Sequence, residues 1–358
     1  MAELEPIGIT PGAKPGKAPY KRIAVEEAFC PPEMFEIYGR LLDGGKLDDP
    51  GFESLWGFYL RSPSPRTAFI RDCMTDLGAK RLAHMDAAGI DVQILALTAP
   101  GVQIMDKDEA VSFATFANDW LADRIKVHPD RFAGLAACAP QDPAAAAKEI
   151  ERGVSKLGLK GVIINSHTHA EYLDNEKFWP IFEAAEALDV PIYIHPTGPS
   201  KGLVKPLLER GLDGAIYGFS VEVGMHLLRI IISGALDRFP KLQIMVGHVG
   251  ESLPFSLYRL DYMHGASVRS GRYATMPPLK QKISDYFRQN VYCTNSGVAW
   301  APSIRFMQEV LGVDRVLYAM DYPYQYLAEE VVAMDEMAMS AENKKAFFQT
   351  NAERIFKL

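Results

Sequence analysis

Lys160-Gly-Val-Ile-Ile-Asn-Ser166 and Val190-Pro-Ile-Tyr-Ile-His195 are two β-rich runs, and Phe178, Ile181, Phe182 and Ala185 place an apolar helical stripe between them. Strand, helix and strand in that order predict a parallel βαβ unit, because an antiparallel partner needs only a tight turn. Working outward, six more β-rich runs appear at 22–29, 91–98, 132–138, 242–248, 290–295 and 315–321. Between the second and third, Phe113, Phe116, Ala117, Trp120 and Leu121 recur at helical spacing. Gly89 stands where a left-handed cap would end the helix before Asp91. Eight alternating units predict an α/β fold, a closed (β/α)8 TIM-like barrel. An open doubly wound sheet fits less well, since no glycine-rich phosphate loop follows the first strand.

No internal repeat or linker divides residues 21–358, which are expected to form a single barrel domain. Residues 1–20, with Pro6, Pro11, Pro15 and Pro19 among glycines and lysines, read as a flexible N-terminal arm. The connections at 30–74 and 196–220 are too long for plain loops. Both leave the C-terminal ends of strands, where barrel enzymes build their sites, so they are expected to wall or cover the mouth.

The composition narrows the function. Apolar residues make up 48% of the 358 and charged residues 23%, the balance of an ordinary globular protein. A net charge of −7 argues against a phosphate-coating surface, so nucleic acid is not an expected partner. A small anion held by local arginines stays compatible. Cys30, Cys73, Cys138 and Cys293 are scattered without a Cys-x-x-Cys pair, against both a disulfide framework and a thiolate zinc site. No apolar run is long enough to cross a bilayer, Arg229 interrupts the best candidate, and the N-terminal stretch lacks a signal-peptide core. A cytoplasmic protein without a membrane partner is expected. There is neither a Gly-x-Ser-x-Gly elbow nor a P-loop.

Polar groups at strand ends are the informative residues, because a barrel interior is otherwise apolar. Glu26 and Glu27 end the first run, His195 the fifth, His248 the sixth and Asp321 the eighth. Any one alone reads as a structural group. Together, at the ends of four strands that converge on one mouth, they offer oxygen and imidazole ligands for a divalent ion such as manganese or zinc. Strand alternation sends only one of Glu26 and Glu27 inward, leaving the other to face the helices or form a salt bridge. His167, after the fourth run, is expected to reach the mouth and His169 to be solvated. His84, His128 and His226 read as structural.

The segments Ala24-Val-Glu26-Glu-Ala-Phe29, Met85-Asp-Ala-Ala-Gly-Ile-Asp91, Ile194-His195-Pro196, Gly247-His248-Val-Gly-Glu251-Ser-Leu-Pro254 and Ala319-Met-Asp321-Tyr-Pro323 resemble the amidohydrolase superfamily over about residues 21–358. The branch is that of aminocarboxymuconate-semialdehyde and hydroxybenzoate decarboxylases, and within it the chain is most similar to the enzymes acting on 5-carboxyvanillate. The family's first motif is commonly Glu-x-His or His-x-His; here Ala28 replaces the second ligand. The resemblance implies one divalent ion, manganese before zinc and with no organic cofactor, held by Glu26, His195 and Asp321. It implies a His248–Glu251 pair beside the metal, and a homodimer or homotetramer in which Arg259 reaches a neighbouring subunit's substrate. Arg61 and Arg66 are weaker candidates for that role, and Phe219 and Tyr324 for lining the ring pocket.

The implied reaction is non-oxidative decarboxylation of an ortho-hydroxy aromatic carboxylate, 5-carboxyvanillate to vanillate and CO2, in the breakdown of lignin-derived aromatics. Asp321 is the candidate proton donor, with His248 and Glu251 as catalytic partners. A 2,3- or 2,6-dihydroxybenzoate substrate is an alternative. So is a metal-dependent lactone or amide hydrolase on the same barrel.

Overall fold

A computed structural model describes residues 7–45 and 47–358; residues 1–6 of the expected arm lie outside the described residues. Nine strands follow in chain order: β1 (Ile23–Phe29), β2 (Val92–Leu97), β3 (Phe132–Gly134), β4 (Ala136–Ala137), β5 (Val162–Ile164), β6 (Ile192–Ile194), β7 (Ile244–Val246), β8 (Val291–Thr294) and β9 (Val316–Leu317). All pairings are parallel, in the orders β1-β2-β3 and β4-β5-β6-β7-β8-β9.

The third expected strand is therefore two pieces. At Leu135 the chain changes neighbour: Leu135 N–H donates to Leu95 O (2.9 Å), and Ala136 N–H donates to Gly161 O (2.8 Å). The ring closes where Val25 N–H donates to Tyr318 O (3.2 Å) and Ala28 N–H donates to Tyr322 O (2.7 Å). β3 and β4 together make one barrel stave, and eight staves close the TIM-like barrel.

The helices form for the expected reasons, with one shift. The helix Ala79–Ala88 ends at Gly89 with φ 65°, the left-handed cap. The helix Trp179–Leu188 buries Ile181, Phe182 and Ala185. In Lys107–Val127 the buried stripe runs through Ala110, Phe113, Ala114, Ala117 and Leu121, whereas Phe116 is exposed. The real stripe follows the small alanines, which let this helix lie close against β3 and β4.

The first long connection is mostly helical, as Pro32–Asp43, Pro50–Arg61 and Pro65–Thr75. Buried Trp56 donates from Nε1 to Ala99 O (2.9 Å) and Tyr38 donates to Gly101 O (2.8 Å), pinning these helices to the loop after β2. The second connection meets the first through backbone. A Cβ on Gly51 would lie 2.7 Å from Pro199 O, and one on Gly198 2.6 Å from Gly51 C. Only glycines permit that approach. Ser54 Oγ–H to Asp213 (2.6 Å) ties the same two segments.

On the opposite side, Gly12 N–H donates to Glu329 (3.1 Å), Tyr20 to Asp335 (2.7 Å) and Arg22 to Gly16 O (2.8 Å). All four cysteines are buried free thiols. Among the described residues, no helix is long and apolar enough to cross a membrane.

Candidate active site

Glu26 is not at a strand end. It lies mid-way along β1, in a register irregularity between Ala24 and Glu27. A bulge inserts a residue and re-aims its side chain, which is how Glu26 turns into the barrel. Its Oε2 accepts from Tyr193 Oη–H and from Thr294 Oγ1–H (3.1 Å), while the buried Oε1 has no hydrogen-bond partner. A Cβ on Gly247 would lie 2.7 Å from that Oε2, so glycine there leaves room for the carboxylate. Gly247→Ala is expected to weaken divalent-cation affinity at least ~10-fold in a folded protein, measured as metal retained after gel filtration. Unchanged retention would remove Gly247 from this account.

His195 directly follows β6. Its Nδ1–H donates to Pro196 O (2.7 Å), which fixes the tautomer and leaves a lone pair on Nε2, 3.4 Å from Glu26 Oε1. Burial, aided by the neighbouring His248, lowers its pKa to about 3, so the ring is neutral. Asp321 comes four residues after the short β9, in the left-handed region with φ 69°. Burial raises its carboxyl above the usual range, and raises that of Glu26 likewise. One donor atom from each of Glu26, His195 and Asp321 lies within 4.8 Å of the others. One carboxylate oxygen from each of Glu26 and Asp321, that of Glu26 being otherwise orphaned, and one neutral imidazole fit a divalent cation, and three protein donors leave further coordination positions.

His248 stands beside this trio, with Nε2 3.6 Å from Glu26 Oε1 and Nδ1 2.7 Å from Glu251 Oε1. Burial disfavours its charge, but Glu251 and Glu26 outweigh that and raise its pKa to about 10. Residues 248–252 all have positive φ, a left-handed turn that folds Glu251 back under its own histidine.

The other candidates divide. Tyr324 Oη lies 2.6 Å from Thr98 Oγ1, and its ring meets Tyr59 edge-on at 5.4 Å. The charge of Asp321 contributes to raising both tyrosines, after burial. Arg66 donates to Tyr324 O (2.7 Å), and its charge lowers Asp321, so it sits over the same rim. Phe219 is half-buried on the first turn of the helix Gly218–Ile232. Arg259 is exposed on the helix Leu257–Ser270, beside exposed Tyr258 and Tyr262.

Two expectations need correction. Arg61 ends its helix pointing at Asp43 (2.7 Å), with more than half its side chain exposed, whereas Arg66 opens the next helix after the break at 62–64 and reaches the rim. His167 has both ring nitrogens taken by backbone: Nδ1 accepts from Ala170 N–H (3.2 Å) and Nε2 donates to Gly198 O (3.1 Å). It braces the loop after β6. His169 is exposed, as expected, with Nε2 on Met105 O (3.1 Å).

Tyr193 was missed as a support for Glu26, although it lies two residues before His195 and so on the same face of β6. Tyr59 carried no comparable signal.

A family model described as Amidohydrolase matches residues 72–358. The gamma-resorcylate decarboxylase of Polaromonas sp. is 35% identical over 345 residues, 94% of this chain and 98% of its own. The crystal structure of 5-carboxyvanillate decarboxylase from Novosphingobium aromaticivorans, complexed with manganese and 4-hydroxy-3-methoxy-5-nitrobenzoic acid, superposes with TM-score 0.93 at 58% identity, covering 95% of this chain and 97% of the other. The 5-carboxyvanillate decarboxylase of Sphingomonas paucimobilis gives TM-score 0.89 at 40% identity over 95% and 99%. With the barrel, the buried carboxylate–imidazole–carboxylate trio and these relatives in agreement, the chain belongs to the amidohydrolase family, on its branch of metal-dependent aromatic-acid decarboxylases.

Proposed function

We propose that this enzyme removes the carboxylate ortho to the hydroxyl of 5-carboxyvanillate, giving vanillate and CO2, with Mn2+ held by Glu26, His195 and Asp321. The observation that carries the reading is the trio itself, with an unpartnered buried Glu26 oxygen aimed into it. The 58% identity to a carboxyvanillate decarboxylase supports this substrate over other hydroxybenzoates.

An aryl carboxylate loses CO2 reluctantly, because the departing electron pair lies in the ring plane. The bound cation supplies electrophilic charge that favours the ionised phenol and orients the adjacent carboxylate. Asp321 takes the proton that the phenol releases and gives it to the carboxyl-bearing ring carbon. The C–C bond to the carboxylate then breaks, its electron pair returns to the ring to restore aromaticity, and CO2 leaves. The cationic His248, held by Glu251, faces the ring's negative charge. Tyr324 and Tyr59 form an aromatic wall, and Arg66 adds positive charge at the rim.

The substrate's second carboxylate also needs a cation. Arg259 lies among Tyr258, 87% exposed, Tyr262, 63%, and Phe255, 59%, an apolar surface suited to a second copy of the chain. In a homodimer or homotetramer it would serve the neighbour's site. A guanidinium grips a carboxylate through two parallel hydrogen bonds, which lysine cannot reproduce. Arg259→Lys is therefore expected to raise KM for 5-carboxyvanillate about tenfold, as for loss of one charge-assisted hydrogen bond of ~1.5 kcal/mol, with little change for 2,6-dihydroxybenzoate. Equal responses, or a fully active monomer, would defeat the clamp. CO2 release and ultraviolet absorbance on those two substrates, beside an ester and lactone panel, test the activity. Ester or lactone turnover without CO2 would overturn the decarboxylase reading.

A further inference from the structure

The two adjacent carboxylates of β1, at its register irregularity, point opposite ways. Glu26 turns inward to the trio. Glu27 turns outward, fully buried, and meets the backbone of the turn that carries Asp321. Its Oε1 accepts from Met320 N–H (2.9 Å) and its Oε2 from Tyr322 N–H (3.2 Å). These are the amides immediately before and after Asp321. A carboxylate offers two acceptor oxygens and no donor, so each oxygen can take one of the two N–H groups and bracket the residue from both sides.

The bracket has something to hold. Asp321 adopts φ 69°, a region sparsely populated by residues other than glycine. Its own carboxylate takes no part in these contacts, which leaves it free to face the trio. Behind Glu27 lies a second layer. Gln93 Nε2–H donates to Glu27 Oε2 (3.3 Å), and Gln93 Oε1 accepts from Arg81 Nη1–H (3.3 Å). Arg81 is itself buried, donates to Ala28 O and Cys73 O, and places its guanidinium 4.5 Å from the centre of the Tyr322 ring. His84 Nδ1 lies 2.9 Å from Tyr322 Oη.

We propose that Glu27 is a positioning residue for Asp321, so that one strand sets both carboxylates of the metal site: Glu26 by its own side chain, Asp321 through its flanking amides. This rests on the metal-site reading above. Glu27→Gln keeps the shape but turns one acceptor into a donor that faces an amide N–H. It is expected to weaken Mn2+ binding by the metal-free protein about 10–100-fold, the range for losing a partner behind a metal ligand. At saturating Mn2+ it should lower kcat more than about tenfold with KM within about threefold, because proton delivery, not substrate contact, is displaced.

Titration of metal-free protein with Mn2+, followed by the free-ion electron paramagnetic resonance signal, gives a readout independent of turnover. A Glu27→Gln protein with a lowered thermal midpoint but wild-type Mn2+ affinity and kcat would overturn the positioning role, since support of the fold alone predicts that pattern. If Glu27→Gln does not fold, Gln93→Met decides: it removes one donor to Glu27 and should weaken Mn2+ binding severalfold, and unchanged affinity overturns the proposal. Failure of the wild-type protein to bind Mn2+ would instead overturn the metal-site reading on which it rests.

Discussion

Asp321→Asn is expected to lower kcat about 10²–10⁴-fold, the range for losing a positioned proton donor, while KM changes only severalfold. Asparagine preserves the volume and keeps one carbonyl oxygen for the cation, but it has no acidic proton. The protein environment is arranged for that proton. Asp321 is surrounded by buried groups, and desolvation raises its carboxyl; after the cation has displaced its resting proton, this raised basicity suits it to take the proton that the substrate's phenol releases and hand it to the ring. The measurement is single-turnover CO2 release with Mn2+ resupplied in excess, beside equilibrium binding of an unreactive nitro analogue. Near-normal turnover with full metal loading would assign proton delivery elsewhere. His248 is then the next group to test, because its raised pKa keeps it protonated and its Nε2 lies 3.6 Å from Glu26 Oε1.

How far this site was legible follows from how each residue reaches it. His195 and His248 follow their strands within two residues, so locating the strands located the imidazoles. Glu26 was identified for a partly mistaken reason. It enters the barrel through an irregularity within β1, and bulges leave no mark in hydrophobic periodicity. Alternation did separate Glu26 from Glu27, but the partner of Glu27 is backbone almost 300 residues away, and nothing in a sequence announces a buried carboxylate bound to main-chain amides. Arg61 and Arg66 looked equivalent because both lie in one long connection. That connection is mostly helical, and the break at 62–64 sends the two guanidinium groups to Asp43 and to the rim over Tyr324. The break at Leu135 was invisible for a related reason: an apolar run reads the same whether its two halves pair with one neighbour or with two. The alternating strand–helix rhythm survived all of this, since it depends on each element's own residues and not on its partners.

His195→Ala is expected to weaken Mn2+ binding more than about 100-fold, beyond the range for outer-shell partners, and to abolish turnover at micromolar metal while the barrel stays folded. His195 supplies the one nitrogen of the trio, and Pro196 O holds it in the tautomer that presents Nε2. Its pKa near 3 means that it is neutral without metal, so it gives up no proton when the cation enters. The carboxylates behave differently. Burial raises both Glu26 and Asp321, so in the metal-free protein they retain protons above the ordinary carboxylate range. Entry of the cation must displace those protons, and Mn2+ affinity should therefore rise with pH well above the ~4 where exposed carboxylates titrate. Below that rise the protons win; above it the cation no longer competes with them. Because His195 contributes no proton in this range, His195→Ala should lower the whole affinity curve without changing its slope against pH, whereas Glu26→Gln should flatten the slope as well. Calorimetric titrations in buffers of different ionisation enthalpy count the released protons directly. An affinity independent of pH from 5 to 8, or a His195→Ala protein that retains wild-type metal content, would contradict the assignment of these three residues as the metal ligands.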